Sequence, residues 1–186
     1  MALLKDFQEI LITGEELYHR PDLEPCELVN GRIVPLSPTG RAHGRAEARL
    51  TTRLSTYVEG ANWGEVLAGE VGLYIRHNPD TVRAADIALI SRERLGRCKT
   101  EGYLDVAPEI VVEVLSPTDR KGDLAAKIGD YFAAGVLRVW VLDSRQCRIS
   151  VHRSLTEIQQ LLTGETLSDE ELLPGFRLAV ADLFAA

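Results

Sequence analysis

The stretch from Pro108 to Asp143 constrains this chain more than any other. Glu109 to Leu115 is rich in β-branched residues and is stopped by Pro117. Asp119 to Ala134 reads as a helix closed by Gly135, and Leu137 to Asp143, with Val139, Trp140 and Val141, reads as a second buried strand. Strand, helix, strand in so short a span predicts a parallel pair joined by a right-handed crossover. One residue is discordant. Glu113 interrupts Ile110-Val111-Val112-Glu113-Val114-Leu115, where a carboxylate is seldom buried without a partner.

Asp86 raises the same problem inside Ala84-Ala85-Asp86-Ile87-Ala88-Leu89-Ile90. An isolated charge in such a strand must neutralise, find a cation or bind a metal. Side chains alternate along a strand, so Glu113 shares a face with Val111 and Leu115, near the strand end where open α/β sheets bind ligands. If the two strands are neighbours, both acids reach one hard cation. Magnesium suits so sparse a carboxylate site, because it keeps waters and takes substrate phosphate oxygens as further ligands. Lys127 follows on the helix, three residues after Leu124 and four before Tyr131, at the margin of the apolar face. Beside a metal carboxylate it can orient or deprotonate the attacking water, or neutralise charge that develops in the transition state. Alone it would read as a lysine whose stem covers apolar surface, or as a structural partner of Glu113.

The rest of the chain reads as further sheet and helix. Thr13-Gly-Glu-Glu16 has the capping-box pattern of a short helix running to Pro21. Asn30-Gly31 between Cys26–Val29 and Arg32–Leu36 predicts a hairpin. Apolar residues at Ala46, Leu50, Leu54, Tyr57 and Val58 predict a helix over 42–59. Glu65 to Arg76 predicts one or two strands bent at Gly69 and Gly72; Arg83 to Ser91 predicts a strand, and 92–107 a loop. Cys147 to His152 should pair back antiparallel, Ile158 to Leu162 add a strand, and Asp169 to Leu172 form a helical turn. The sum is a single domain over 1–186, of α/β (α+β) class, with a mixed twisted β-sheet flanked by helices.

Charge bears on the partner. The net charge of −7 opposes a general basic footprint for nucleic acid. Arg41, Arg45, Arg49 and Arg53 nevertheless recur every four residues and form one basic stripe on the predicted helix, equally readable as a solvated face. Cys26, Cys98 and Cys147 are odd in number and widely spaced, with no zinc spacing, which suits a reducing cytoplasm. No apolar run approaches the ~20 residues that span a bilayer, and Met1-Ala-Leu-Leu-Lys5-Asp6 lacks the pattern of a secretory signal. No Ser-His-Asp set, P-loop or dinucleotide fingerprint occurs.

In order along the chain stand Glu27-Leu-Val-Asn-Gly31, His43, Asp86, Glu113-Val-Leu-Ser-Pro117, Lys127, Tyr131, Gly135-Val136 and Val139-Trp-Val-Leu-Asp143. This order, covering roughly residues 14–153, resembles the Uma-two family, assigned to the PD-(D/E)XK nuclease superfamily. The resemblance implies a restriction-endonuclease-like fold, a Mg2+ or Mn2+ cofactor, and endonucleolytic hydrolysis of phosphodiester bonds, with DNA the expected substrate, by a metal-activated water. It implies Asp86 and Glu113 as metal ligands, the Val114 carbonyl as a third, and Lys127 as the superfamily lysine moved from the strand to the helix. It places Glu27 near the metal and gives His43 a phosphate contact or the role of acid for the leaving oxygen. Two positions depart from the superfamily pattern. Ala85 stands where a proline is usual, and Leu115 where the strand lysine is usual. Two other readings remain: an inactive nuclease-fold binding scaffold, and a phosphodiesterase for a small nucleotide. A homodimer would fit the cutting of two strands.

Overall fold

The computed structural model describes residues 11–23, 25–117 and 119–185, so the reading of Met1–Asp6 lies outside the described residues. The predicted capping box forms at the start of α1 (Gly14–Tyr18): the Thr13 hydroxyl accepts the Glu16 N–H, and the Glu16 carboxylate accepts the Thr13 N–H. β1 (Cys26–Val29) and β2 (Arg32–Pro35) form the predicted hairpin. Asn30 and Gly31 both take positive φ at its turn, 53° and 75°, as a two-residue turn matched to strand twist requires.

α2 (Arg41–Ala61) is followed by β3 (Gly64–Arg76) and β4 (Thr81–Ser91). A single turn of helix, α3 (Arg92–Leu95), opens the segment expected to be loop. β5 (Ile110–Val114), α4 (Lys121–Ala134) and β6 (Arg138–Asp143) then build the strand–helix–strand unit, with β5 and β6 parallel in the register Glu113↔Val141. β7 (Arg148–His152) and β8 (Ile158–Leu162) continue the sheet antiparallel. β9 (Thr166–Asp169) and β10 (Leu173–Ala179) form a separate hairpin, and α5 (Val180–Phe184) follows.

The helical turn expected at Asp169–Leu172 is instead the connection of that hairpin. Asp169 Oδ1 accepts the Leu172 N–H at 3.2 Å, a local side-chain bond that a helix cap and a turn share, so the residues alone do not separate the two.

The main sheet has eight strands in the order β2-β1-β4-β5-β6-β7-β8, with β3 also on β4. β3 pairs with β4 along its length and takes one edge. β1 and β5 therefore share the other, β1 at Val82 and β5 at Ile87–Leu89. Successive residues of β5 and β6 feed opposite faces. Ile110, Val112, Trp140 and Leu142 pack with Ala46, Leu50 and Leu54 of α2, whereas Val111, Val139 and Val141 pack with Ile128 and Tyr131 of α4. Leu50 and Leu54 are wholly buried, and each contributes about 1.5–3 kcal/mol of burial energy. α2 is thus fixed on the sheet, and so are the polar residues it carries over β4.

Candidate active site

The site forms where the edge of β4 changes partners. Between Val82, opposite Leu28 of β1, and Ile87, opposite Val112 of β5, that edge pairs with no strand among the described residues. Backbone groups left there need partners, and side chains supply them. The Ala84 N–H donates to Glu27 Oε1 at 3.0 Å, and the Lys127 ammonium donates to the Ala84 carbonyl at 2.8 Å. Across the gap the Val114 N–H donates to Asp86 Oδ2 at 2.6 Å.

On the α4 side every buried charge has an opposite. Lys127 and Tyr131 lie one helical turn apart and both reach Glu113, Nζ to Oε2 at 2.8 Å and the Tyr131 hydroxyl to Oε1 at 2.7 Å. Lys127 also stands 3.1 Å from Glu27 Oε1. Glu27 Oε2 accepts from Arg83 at 2.7 Å, and Arg83 continues to Asp130 at 2.7 Å. Burial pushes the Glu113 carboxyl up to about 7 against the pull of Lys127. Burial likewise opposes the charge on Lys127, but Glu113 and Glu27 hold its proton well above the usual lysine range. For Glu27 burial is outweighed by Lys127 and Arg83, and its carboxyl sits below the usual range.

On the α2 side the balance is different. The register of β3 against β4 slips between Ala68 and Val71, so Gly69 and Glu70 together oppose Asp86 in a bulge. Both bulge residues have positive φ, 92° and 58°, which glycine tolerates and glutamate adopts at a cost. The face alternation of β4 also switches here: Ala85 packs on the α4 side, while Ile87 and Leu89 pack on the α2 side. Asp86 therefore turns toward α2, where His43 Nε2 lies 3.3 Å from Oδ1. Glu47, four residues after His43, feels the backbone N–H of Gly69 and lies 3.7 Å from His43 Nδ1. One donor atom from each of His43, Glu47 and Asp86 lies within 4.8 Å of the others, a spacing at which they can hold a metal ion. Desolvation and the Asp86 charge push both Glu47 and Glu70 up. His43 is desolvated too, yet the Asp86 carboxylate raises it.

All five residues proposed for catalysis, Asp86, Glu113, Lys127, Glu27 and His43, meet at this junction. The basic stripe divides. Arg49 donates to the Leu183 and Ala185 carbonyls of the α5 end, at 3.2 and 2.6 Å, and so anchors the C-terminus. Arg41, Arg45 and Arg53 form no ion pair among the described residues. Three site members escape sequence reasoning. Glu47 carried a signal, its four-residue spacing from His43; Glu70 carried only the glycine before it; and Arg83 carried none. A cleft of about 270 Å³, lined by Glu70, Arg83, Ala84 and Tyr103 among others, opens beside the junction.

The fold is shared with a solved structure. Described as a putative nuclease belonging to DUF820 from Anabaena variabilis, it superposes with a TM-score of 0.73 at 17% identity, over 86% of this chain and 89% of that one. The model of the Uma2 family, described as "Putative restriction endonuclease", matches residues 13–181, and the chain belongs to that family. No curated protein matches the sequence. Among the described residues no helix is long and apolar enough to cross a membrane.

Proposed function

We propose that the protein is a divalent-metal-dependent endonuclease that hydrolyses phosphodiester bonds of DNA. The observation that carries this reading is the combination of two strand acids with one helix lysine: Asp86 and Glu113 stand on the neighbouring strands β4 and β5, the Asp86 charge acts on Glu113, and Lys127 lies on Glu113 at 2.8 Å. The donor set fits a hard cation. Among the described residues five carboxylates, Glu27, Glu47, Glu70, Asp86 and Glu113, converge with Lys127 and Arg83 as their permanent cations, and Arg83 is shared with Asp130. Asp86, Glu113 and the Val114 carbonyl would hold Mg2+ or Mn2+; their carboxylate oxygens keep lone pairs beyond the bonds described. When bound, the metal supplies Lewis acidity to a phosphate oxygen and lowers the pKa of a water.

The residues of the chain do the rest. Tyr131 and Lys127 fix the Glu113 carboxylate, and Glu27 with Ala84 fixes Lys127. Lys127 keeps its proton at neutral pH, so it acts as a cation aimed at charge that builds on the phosphate in the transition state. His43 stands on the opposite side of Asp86, placed to pass a proton to the leaving oxygen. Arg41, Arg45 and Arg53 would meet the flanking phosphates, and Arg49 holds the C-terminal segment against the same helix. Two sites in a homodimer would cut both strands, and a cytoplasmic setting suits three cysteines that form no disulfide. The net charge of −7 favours a second reading, a phosphodiesterase for small nucleotides or a binding scaffold.

Labelled duplex DNA, single-stranded DNA, RNA and a small phosphodiester, each incubated in Mn2+, separate these readings. The proposal expects cleavage of DNA, with Lys127→Met lowering turnover more than Mn2+ affinity. Hydrolysis of the small diester alone would replace it with the second reading, and loss of turnover and affinity together would make Lys127 a structural partner.

A further inference from the structure

We propose that the cleft beside the junction takes one unpaired nucleobase carrying an exocyclic amine, so that the substrate strand has an unstacked base next to the scissile phosphate. This inference rests on the reading of the junction as a phosphodiester-cleaving site and deepens it.

The cleft, about 270 Å³, is built from strand backbone and one aromatic ring. Gly69 and Gly72 of β3 line it without side chains, and Tyr103 lies so close to Gly72 that a Cβ there would overlap the ring. The loop that carries Tyr103 is fixed to β3 by two backbone bonds. The Leu104 N–H donates to the Gly72 carbonyl at 2.8 Å, and the Tyr74 N–H donates to the Leu104 carbonyl at 2.9 Å. Tyr18 and Tyr74 stand edge-on to the ring, with centroids 5.4 and 6.1 Å away. Tyr103 is thus held in place yet only partly buried, as a stacking wall requires. Cys26 and Val82 extend the apolar lining.

Charge decides which part of a nucleotide enters. Arg83, on the cleft wall, is already neutralised by Glu27 and Asp130. Glu70 lines the same cleft, and its carboxylate forms no hydrogen bond among the described residues. A phosphate would be repelled there, whereas a carboxylate accepts from the amine of adenine, cytosine or guanine. Glu70 holds φ at 58° in the bulge, where glycine would cost less, and bulges re-aim side chains beside active sites. The cleft also adjoins the chemistry: Ala84 lines it and gives its carbonyl to Lys127. A base within a duplex is stacked on both faces and paired along its edge, so it reaches such a wall only by leaving the stack.

The test is anisotropy of labelled duplexes that differ in one bulged nucleotide, adenine, cytosine or thymine, beside a fully paired control. Ca2+ replaces Mn2+ in the titrations, and gels confirm intact strands. Bulged adenine or cytosine should bind about tenfold more tightly than the paired control, with thymine, which lacks the amine, between them. Tyr103→Leu should lose that tenfold gain, and Tyr103→Phe, which keeps the ring, should retain it. Glu70→Gln should bring thymine level with adenine, since an amide both donates and accepts. Melting curves check that each variant is folded. Equal binding of bulged and paired duplex, or wild-type affinity in Tyr103→Leu, would overturn the cleft as a base site. Thymine still disfavoured in Glu70→Gln would overturn the role of the carboxylate. Tyr103-dependent binding without cleavage in Mn2+ upholds the cleft and removes the nuclease reading. Cleavage of bulged and paired duplex alike, unaffected by Tyr103→Leu, does the reverse.

Discussion

The two halves of the site handle buried charge in opposite ways. Toward α4, Glu113, Lys127, Glu27, Arg83 and Asp130 alternate in sign, and each carboxylate is held by a lysine, an arginine or a tyrosine hydroxyl. Toward α2, the buried Asp86, the partly buried Glu47 and the exposed Glu70 gather around His43. Removing charges from water costs several kcal/mol per ion unless partners compensate. The first half is compensated by the chain's own cations. The second is left with surplus acid, which a bound cation would relieve.

Lys127→Met breaks the comparison most severely. It strands Glu113 and Glu27 without their shared cation, and the loss from breaking a buried pair is about 3–5 kcal/mol. Urea unfolding should show it, and combining Lys127→Met with Glu113→Gln should recover part of the loss, because the partners couple. Additive losses would mean that the two side chains stabilise the fold independently. Glu113→Gln alone keeps shape and removes charge, so the fold should stand while cleavage falls roughly 100- to 1,000-fold, as when one electrostatic group of an active site is removed.

The pH dependence sharpens the contrast without a mutation. Burial raises Glu47, Glu70 and Glu113 above the usual carboxylate range, Glu113 to about 7, and the Asp86 carboxylate raises His43 above the usual imidazole range. The native state then binds more protons than the unfolded chain between about pH 4.5 and 7, so stability falls as pH rises through that window. Glu27 has the opposite sign and withdraws its contribution only below that window, while the lowered His152 opposes the trend weakly. Metal-free melting temperature should therefore rise on acidification from pH 7 toward 5. Saturating Mn2+ should raise the melting temperature at pH 7 and flatten the trend, since the ion replaces the protons. An identical pH profile with and without Mn2+ would place no ion at these acids.

The smallest effect belongs to the bulge. Glu70→Gly removes a left-handed glutamate, φ 58°, and one like charge beside Asp86, and should stabilise the metal-free protein by about 1 kcal/mol. Glu70→Gln isolates the charge contribution. No gain from either would mean that the conformation carries no strain.

Legibility followed locality. Asp86 and Glu113 stood out because a carboxylate in a β-branched run is anomalous on its own. Asn30-Gly31 and Thr13–Glu16 announced their turn and cap within a few residues. The strand–helix–strand unit formed with the expected parallel pairing. The α2 half was hidden, because its shape depends on register. Glu70 faces Asp86 only through the slip between β3 and β4, and Glu47 looks like any solvated helix acid until Gly69 is brought to it. Arg49 is the clearest case. Its acceptors lie 134 and 136 residues away on the chain, so a stripe that reads as four equivalent arginines contains one committed to the C-terminus.

The measurement that tests the central claim most directly is nicking of supercoiled plasmid in Mn2+ by wild type and Glu113→Gln, purified side by side. Nicking by wild type that EDTA abolishes and Glu113→Gln lacks is the predicted result. Equal nicking by both, or none by either while Mn2+ still raises their melting temperatures, would contradict a nuclease centred on Glu113.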